Sequence, residues 1–135
     1  MALLASLGKY RNTGLFIMRA GLGIMMMYHG YPKLLGGPDQ WAAVGDSTKY
    51  LGINFTPAIW GLLAAVTETF GGFLILIGLA FRPACIFLMV TMAVAATMHL
   101  RNGDGLMVAS HALELGTVFL GLVLIGPGKY SVDKK

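Results

Sequence analysis

Six ionisable side chains interrupt the apolar stretches of this sequence. They are one arginine, three histidines and two glutamates: Arg19, His29, Glu68, His99, His111 and Glu114. If the stretches cross a membrane, a charge near the middle of the bilayer costs on the order of 3 kcal/mol, so each group needs a partner or a purpose. Acids and histidines in such places can bind ligands and move protons. We therefore take these six as the candidate functional residues.

Arg19 and Glu68 are predicted to form an ion pair. Arg19 lies 12 residues before Tyr31, and Glu68 lies 11 residues after Pro57, so both sit about 17 Å from the same boundary of a helical bundle. Glu114 is a second carboxylate for the same arginine, and if Arg19 neutralises one of the two, the other must be protonated or bonded to a histidine. A carboxyl in that state can relay protons. The alternative is that the three groups form one satisfied polar network that only fixes helix packing.

The three histidines are predicted to lie at a similar depth. His29 and His99 come near the ends of the first and third apolar runs. His111 comes one to two turns into the fourth run and one turn from Glu114, on the same face. Two facing histidines could ligate haem b or a metal ion, whereas a histidine beside a carboxylate could hydrogen-bond a quinone carbonyl and take up its proton. No tight HxxxH or HExxH pair supports a zinc site, and ordinary hydrogen-bonded interface residues are the other alternative.

Four apolar runs must position these groups. They extend over residues 13–31, 57–81, 83–100 and 106–126, and each is bounded by proline, glycine or a charge. A helix of about 20 residues spans the hydrocarbon layer, so each run predicts one transmembrane helix. Pro57 and Pro83 suit first-turn positions. The very short connection at Arg82 makes the second and third helices antiparallel neighbours.

The composition supports a membrane protein. Of the 135 residues, 56% are apolar and only 12% are charged, and the mean hydropathy is +0.72. A soluble domain has roughly 25% charged residues. The net charge of +4 does not indicate nucleic-acid binding, because the lysines and arginines bracket apolar runs and form no cluster with aromatics. The single cysteine, Cys85, excludes a disulfide within the chain.

A polar segment over residues 39–54 separates the first two runs. Asp39 can cap a short helix there, and Trp41, Val44 and Leu51 fall near one face. We predict a helix that lies flat on the membrane interface. An ordered but non-helical loop is the alternative.

Positive charges are distributed unequally between the two sides of the predicted bundle. Six lie on one side and three on the other: Lys9, Arg11, Arg82, Lys129, Lys134 and Lys135 against Lys33, Lys49 and Arg101. Because positive residues favour the cytoplasm, both ends of the chain are predicted to be cytoplasmic, with residues 39–54 on the other side.

Three stretches of the chain carry a recognisable pattern. They are RAGLGIMMMYHGYPKLLGG from Arg19, TETFGGFLILIGLAFRPA from Thr67 and HALELGTVFLGLVLIGPGKYSVD from His111. In order and spacing they resemble the DoxX family of small bacterial and archaeal membrane proteins. The resemblance implies a four-helix fold in the cell membrane (the inner membrane where there are two), and some relatives belong to redox systems such as thiosulfate:quinone oxidoreductase. Pattern and physical reasoning coincide at Arg19, His29, Lys33, Glu68, Arg82, His111 and Glu114.

We predict a single all-α domain over residues 1–135, an integral membrane four-helix bundle with a short interfacial helix between helices 1 and 2. The leading hypothesis is a membrane subunit of a quinone-linked redox complex, with quinone as the expected cofactor and haem b less favoured. The alternative is a non-catalytic anchor or assembly subunit. Expected partners are lipid and other subunits or further copies of the chain, not nucleic acid. The predicted catalytic residues are Glu68, Glu114 and His111, the predicted cofactor-binding residues are Arg19, His29 and His99, and no metal ligand is predicted.

Overall fold

The computed structural model describes residues 3–133, and its regular structure in this part of the chain is helical, without strands. Five α-helices and two short 3-10 helices follow one another: a 3-10 helix Ala5–Tyr10, α1 Arg11–Leu35, α2 Gly37–Gly45, a 3-10 helix Asp46–Leu51, α3 Pro57–Ile77, α4 Phe81–Asn102 and α5 Leu106–Ile125. The all-α prediction is confirmed. Lys134 and Lys135, which contributed to the predicted charge asymmetry, lie outside the described residues.

Three helices of the described chain, α3, α4 and α5, are long and apolar enough to cross a membrane. Their outer surfaces keep large apolar side chains exposed, among them Phe87 at 63% and Leu124 at 76%. Lipid is the solvent in which such a surface is stable. The first helix, α1, is longer but less apolar, because Arg19, His29 and several glycines interrupt it. A fourth span through α1 therefore stays a prediction.

The long helices pack as two pairs, α1 with α3 and α4 with α5. Contacts between α3 and α4 hold the two pairs together. Glycines allow the first pair to approach closely: a Cβ on Gly23 would lie 2.6 Å from the carbonyl oxygen of Gly72, and one on Gly72 would lie 2.7 Å from that of Gly23. By contrast, no Cα atom of α1 comes within 8 Å of one in α5. A seam therefore separates α1 from α5.

The first helix is longer than predicted. It was expected to stop at Tyr31 before a proline, but it continues through Pro32 to Leu35. A proline removes one helical hydrogen bond, and neighbouring helices can compensate for that loss in a membrane protein. The turn forms instead at Gly37, whose φ of 79° lies in the left-handed region that glycine tolerates.

The segment that follows α5 packs against the connection between α3 and α4. The third helix ends at Ile77, four residues earlier than predicted, because Gly78 has a φ of 70° and donates its N–H to carbonyl oxygens of the last turn. The fourth helix begins at Phe81, two residues earlier than predicted. The carboxylate of Asp133 caps it by accepting hydrogen bonds from the N–H groups of Ala80 and Phe81, at 3.0 and 2.9 Å.

The polar segment between α1 and α3 is mainly helical, formed by α2 and the second 3-10 helix. It packs on the N-terminal half of α3 through Gly45 and Gly61, where a Cβ on either residue would overlap the backbone of the other helix. The indole N–H of Trp41 donates to the carbonyl oxygen of Lys33 at 3.0 Å. The segment is thus docked on the long helices, while its location at a membrane interface stays a prediction.

Candidate functional site

A cavity of about 170 Å³ lies between the two helix pairs, in the half of the bundle that also holds the α4–α5 turn. Its polar lining consists of three histidines, a lysine and a glutamate: His29, Lys33, Glu68, His99 and His111. The rest of the lining is apolar and includes Met26, Met92 and Leu115. The structure therefore brings four of the six candidate residues to one place.

Lys33 and Glu68 form an ion pair at this cavity. The ammonium nitrogen of Lys33 donates to both carboxylate oxygens of Glu68, at 2.9 and 2.6 Å. Glu68 is only 4% exposed, whereas about a third of the Lys33 side chain is exposed. Lys33 was predicted to lie outside the bundle. Its position four residues after His29, on the same helix face, is the signal that could have placed it at the site.

The predicted ion pair between Arg19 and Glu68 is wrong. On α1 the level of Glu68 is that of Gly30, because a Cβ on Gly30 would touch Glu68 and Thr69. Arg19 instead reaches the level of Leu76, eight residues or about 12 Å further along α3. The prediction aligned Tyr31 with Pro57, whereas in the structure Gly30 lies opposite Glu68 and α1 continues to Leu35.

Arg19 binds the far end of α3 and the segment after α5. Its Nε and Nη2 donate to the carbonyl oxygens of Ile75 and Leu76, both at 3.0 Å. Its Nη1 donates to the carbonyl oxygens of Pro127 and Tyr130, at 2.9 and 2.6 Å. Arg19 is 1% exposed, and its guanidinium satisfies carbonyl groups at a helix C-terminus, where a cation is favoured. Arg19 is therefore a structural link and does not line the cavity.

His29 and His111 meet at the seam between α1 and α5. The rings of His29 and His111 pack edge to face with their centroids 6.4 Å apart. His99, on α4, has its Nδ1 2.8 Å from a carboxylate oxygen of Asp104. This pairing would orient the ring and leave its second nitrogen to face a ligand. The equal depth predicted for the three histidines corresponds to their shared position on the cavity.

The donor set fits hydrogen bonding to a small ring. Within residues 3–133, no group of three His, Cys, Asp or Glu side chains is arranged to hold a metal ion. The volume of about 170 Å³ is also below the roughly 300 Å³ at which sites for drug-sized ligands begin. A single six-membered ring with its oxygen substituents matches this volume in scale.

Glu114 does not line the cavity, although His111, three residues earlier, does. It lies exposed on α5, and its carboxylate makes no hydrogen bond or ion pair with another residue in the described range 3–133. The two residues were predicted to share one helix face, but only His111 faces the cavity. A charged carboxylate near the middle of a bilayer costs on the order of 3 kcal/mol. The exposed position of Glu114 on an apolar helix therefore needs an explanation.

The apolar helices and their inward-facing ion pair define a helical membrane protein. The DoxX family model matches residues 14–101, which is more than half of the chain, and the chain belongs to the DoxX family. The match covers α1 to α4, including His29, Lys33, Glu68 and His99, and it ends before α5. Searches among curated proteins and among solved structures gave no match.

Proposed function

We propose that this chain is a membrane subunit of a quinone-linked redox complex and that its cavity binds the quinone ring. The observation that carries the proposal is the convergence of the Lys33–Glu68 pair with His29, His99 and His111 on one small cavity. Membership of the DoxX family of membrane proteins agrees with such a role. We further propose that α1, α3, α4 and α5 each span the membrane, and that both ends of the chain lie in the cytoplasm.

Each polar group has a task in this proposal. Lys33 and a histidine N–H donate hydrogen bonds to the two carbonyl oxygens of the quinone. When the quinol is oxidised, it loses two protons and two electrons. A neutral imidazole of His111 accepts one proton and Glu68 accepts the other, while the electrons pass to a redox centre on another subunit of the complex.

The seam between α1 and α5 gives the isoprenoid tail of a quinone a path into lipid. The cavity accommodates a ring but no long chain. The two helices keep their Cα atoms more than 8 Å apart, and Met26 and Leu115 line the cavity beside them. A tail that leaves sideways needs no larger pocket, and methionine adapts readily to a flexible hydrocarbon.

The test measures binding of a short-tailed benzoquinone to the purified protein in nanodiscs. The double variant Lys33→Met/Glu68→Gln removes the donor and the acid without leaving a lone buried charge. We expect it to weaken binding at least about tenfold, as does the loss of one or two hydrogen bonds to a ligand. The control is Thr91→Val on the exposed surface of α4, which should bind as the wild type does. Equal binding by all three proteins would refute the proposal.

An anchor or assembly subunit remains the second candidate, and the exposed position of Glu114 favours it. Such a subunit would assemble with its complex and hold no quinone. Complex turnover that is unchanged by the Lys33→Met/Glu68→Gln variant, together with normal assembly, would select this candidate.

A further inference from the structure

The face of α5 that points away from the core carries a polar stripe, defined as Ser110, Glu114, Thr117 and Gly121. Their spacing of four, three and four residues places them within an arc of about 60° on the helix. The buried Phe119 lies on the opposite side of the same helix. Because every member of the stripe is exposed or half-buried, the stripe faces the surroundings of the bundle.

Glu114 is the member of the stripe that still needs a partner. The hydroxyl of Ser110 donates to the carbonyl oxygen of Met107 at 2.8 Å, and that of Thr117 donates to the carbonyl oxygen of Leu113 at 2.9 Å. Both hydroxyls are thus satisfied within α5. The carboxylate of Glu114 has no such bond within residues 3–133, although it lies about 12 Å from the start of a helix that can span the membrane.

We infer that the polar stripe docks a transmembrane helix of a different subunit, and that this helix carries an arginine or lysine opposite Glu114. Charge complementarity selects the occupant, because a cation at hydrogen-bond distance is the strongest partner for a carboxylate in lipid. Gly121 and Thr117 are short, so that the backbone of the second helix can come close enough for its basic side chain to reach Glu114.

A second copy of this chain is a weaker source of that cation, because its exposed Arg101 lies in the last turn of α4 and not at the depth of Glu114. Its Arg19 is held by four carbonyl oxygens and its Lys33 by Glu68. A symmetric contact through α5 would instead bring two Glu114 carboxylates together, which repel each other when charged. The stripe therefore fits a basic helix from another protein better than it fits itself.

The experiment uses a synthetic poly-leucine transmembrane helix as the probe, with one arginine placed at the depth of Glu114. Energy transfer in vesicles reports its binding to the full chain, labelled after its last residue. We expect the arginine helix to bind the wild type about fivefold or more tightly than the all-leucine helix, in line with polar contacts between membrane helices. Glu114→Gln should abolish this preference. Phe87→Gln, on the exposed surface of α4, should retain it.

Two results would overturn the inference. One is equal binding of the arginine and leucine helices to the wild type. The other is self-association of the wild type that Glu114→Gln removes, because it would assign the stripe to a second copy of the chain. Quinone binding by Glu114→Gln, measured on the same preparation, keeps the two proposals separate: it should be unchanged, since Glu114 does not line the cavity.

Discussion

Lys33 and Glu68 join α1 to α3 through two hydrogen bonds from one ammonium group to both carboxylate oxygens. The pair is charge-balanced, and the exposed part of Lys33 keeps some contact with solvent or headgroups. Lys33 takes the place of Arg19, which was predicted to pair with the same glutamate. The acid at the centre of the proposed site is therefore held by a flexible side chain, which a ligand can displace more easily than a fixed guanidinium fork.

Breaking only one half of this pair should destabilise the protein. Lys33→Met leaves the Glu68 carboxylate buried without a cation, and we expect a loss of about 2 kcal/mol, less than for a fully buried pair because Lys33 is partly exposed. Adding Glu68→Gln should recover most of it. Reversible unfolding in mixed micelles measures both variants. Losses that simply add up would show that the two residues act independently.

The segment after α5 should detach when Arg19 is replaced. Arg19→Leu removes all four hydrogen bonds to carbonyl groups, two of which hold Pro127 and Tyr130. We expect residues 127–133 to become sensitive to proteases, while benzoquinone still binds to the distant cavity. Asp133→Asn is the milder comparison, because the amide keeps only one of the two acceptor oxygens, and the loss of one hydrogen bond should cost about 1 kcal/mol. Unchanged protease resistance of Arg19→Leu would contradict this role.

Alanine substitutions in α1 should separate close packing from helix propensity. Gly23→Ala places a methyl group against the backbone of Gly72, so we expect a loss of about 1–3 kcal/mol. Gly21→Ala is the matched control, because nothing lies within 4 Å of its Cβ position. It should be neutral or slightly stabilising, as alanine favours helices. Thermal unfolding measures both, and equal effects would argue against the tight contact between α1 and α3.

The proposed orientation can be tested with a thiol reagent that does not cross membranes. Cys85 is fully buried and should remain unlabelled in intact cells. Ser47→Cys, in the segment between α1 and α3, should react from outside, whereas Lys129→Cys should react only after the membrane is opened. Labelling of both cysteines from the same side would exclude an arrangement in which they are separated by the bilayer.

The long apolar helices could be predicted from the sequence, because whether a segment can span a membrane depends only on the residues within that segment. The three helices α3, α4 and α5 were predicted within a few residues, since long apolar runs have one stable form in lipid. The ends at Leu35 and Ile77 were missed. Both depend on which glycine takes a left-handed conformation, and the residue types alone leave that choice between several neighbours.

The sequence predicted how far along the helices the site residues lie, but not which neighbouring helix each of them faces. Counting residues placed His29, His99 and His111 in the same half of the bundle, and the structure puts them on one cavity. The same count failed for Arg19, because it aligned Tyr31 with Pro57, whereas the residue of α1 that lies opposite Glu68 is Gly30, eleven residues after Arg19. It also could not show that Glu114 faces outward, since helix periodicity gives angles within α5 but not the position of its neighbours.

The hydrogen bonds of Arg19 also bear on how the protein is made. Its acceptors at Pro127 and Tyr130 follow it by 108 and 111 residues. During synthesis the first helix therefore leaves the ribosome long before these carbonyl groups exist, and the guanidinium must use water, lipid phosphates or the insertion machinery in the meantime. Synthesis of residues 127 to 130 therefore has to precede the final hydrogen bonding of a side chain in the first helix.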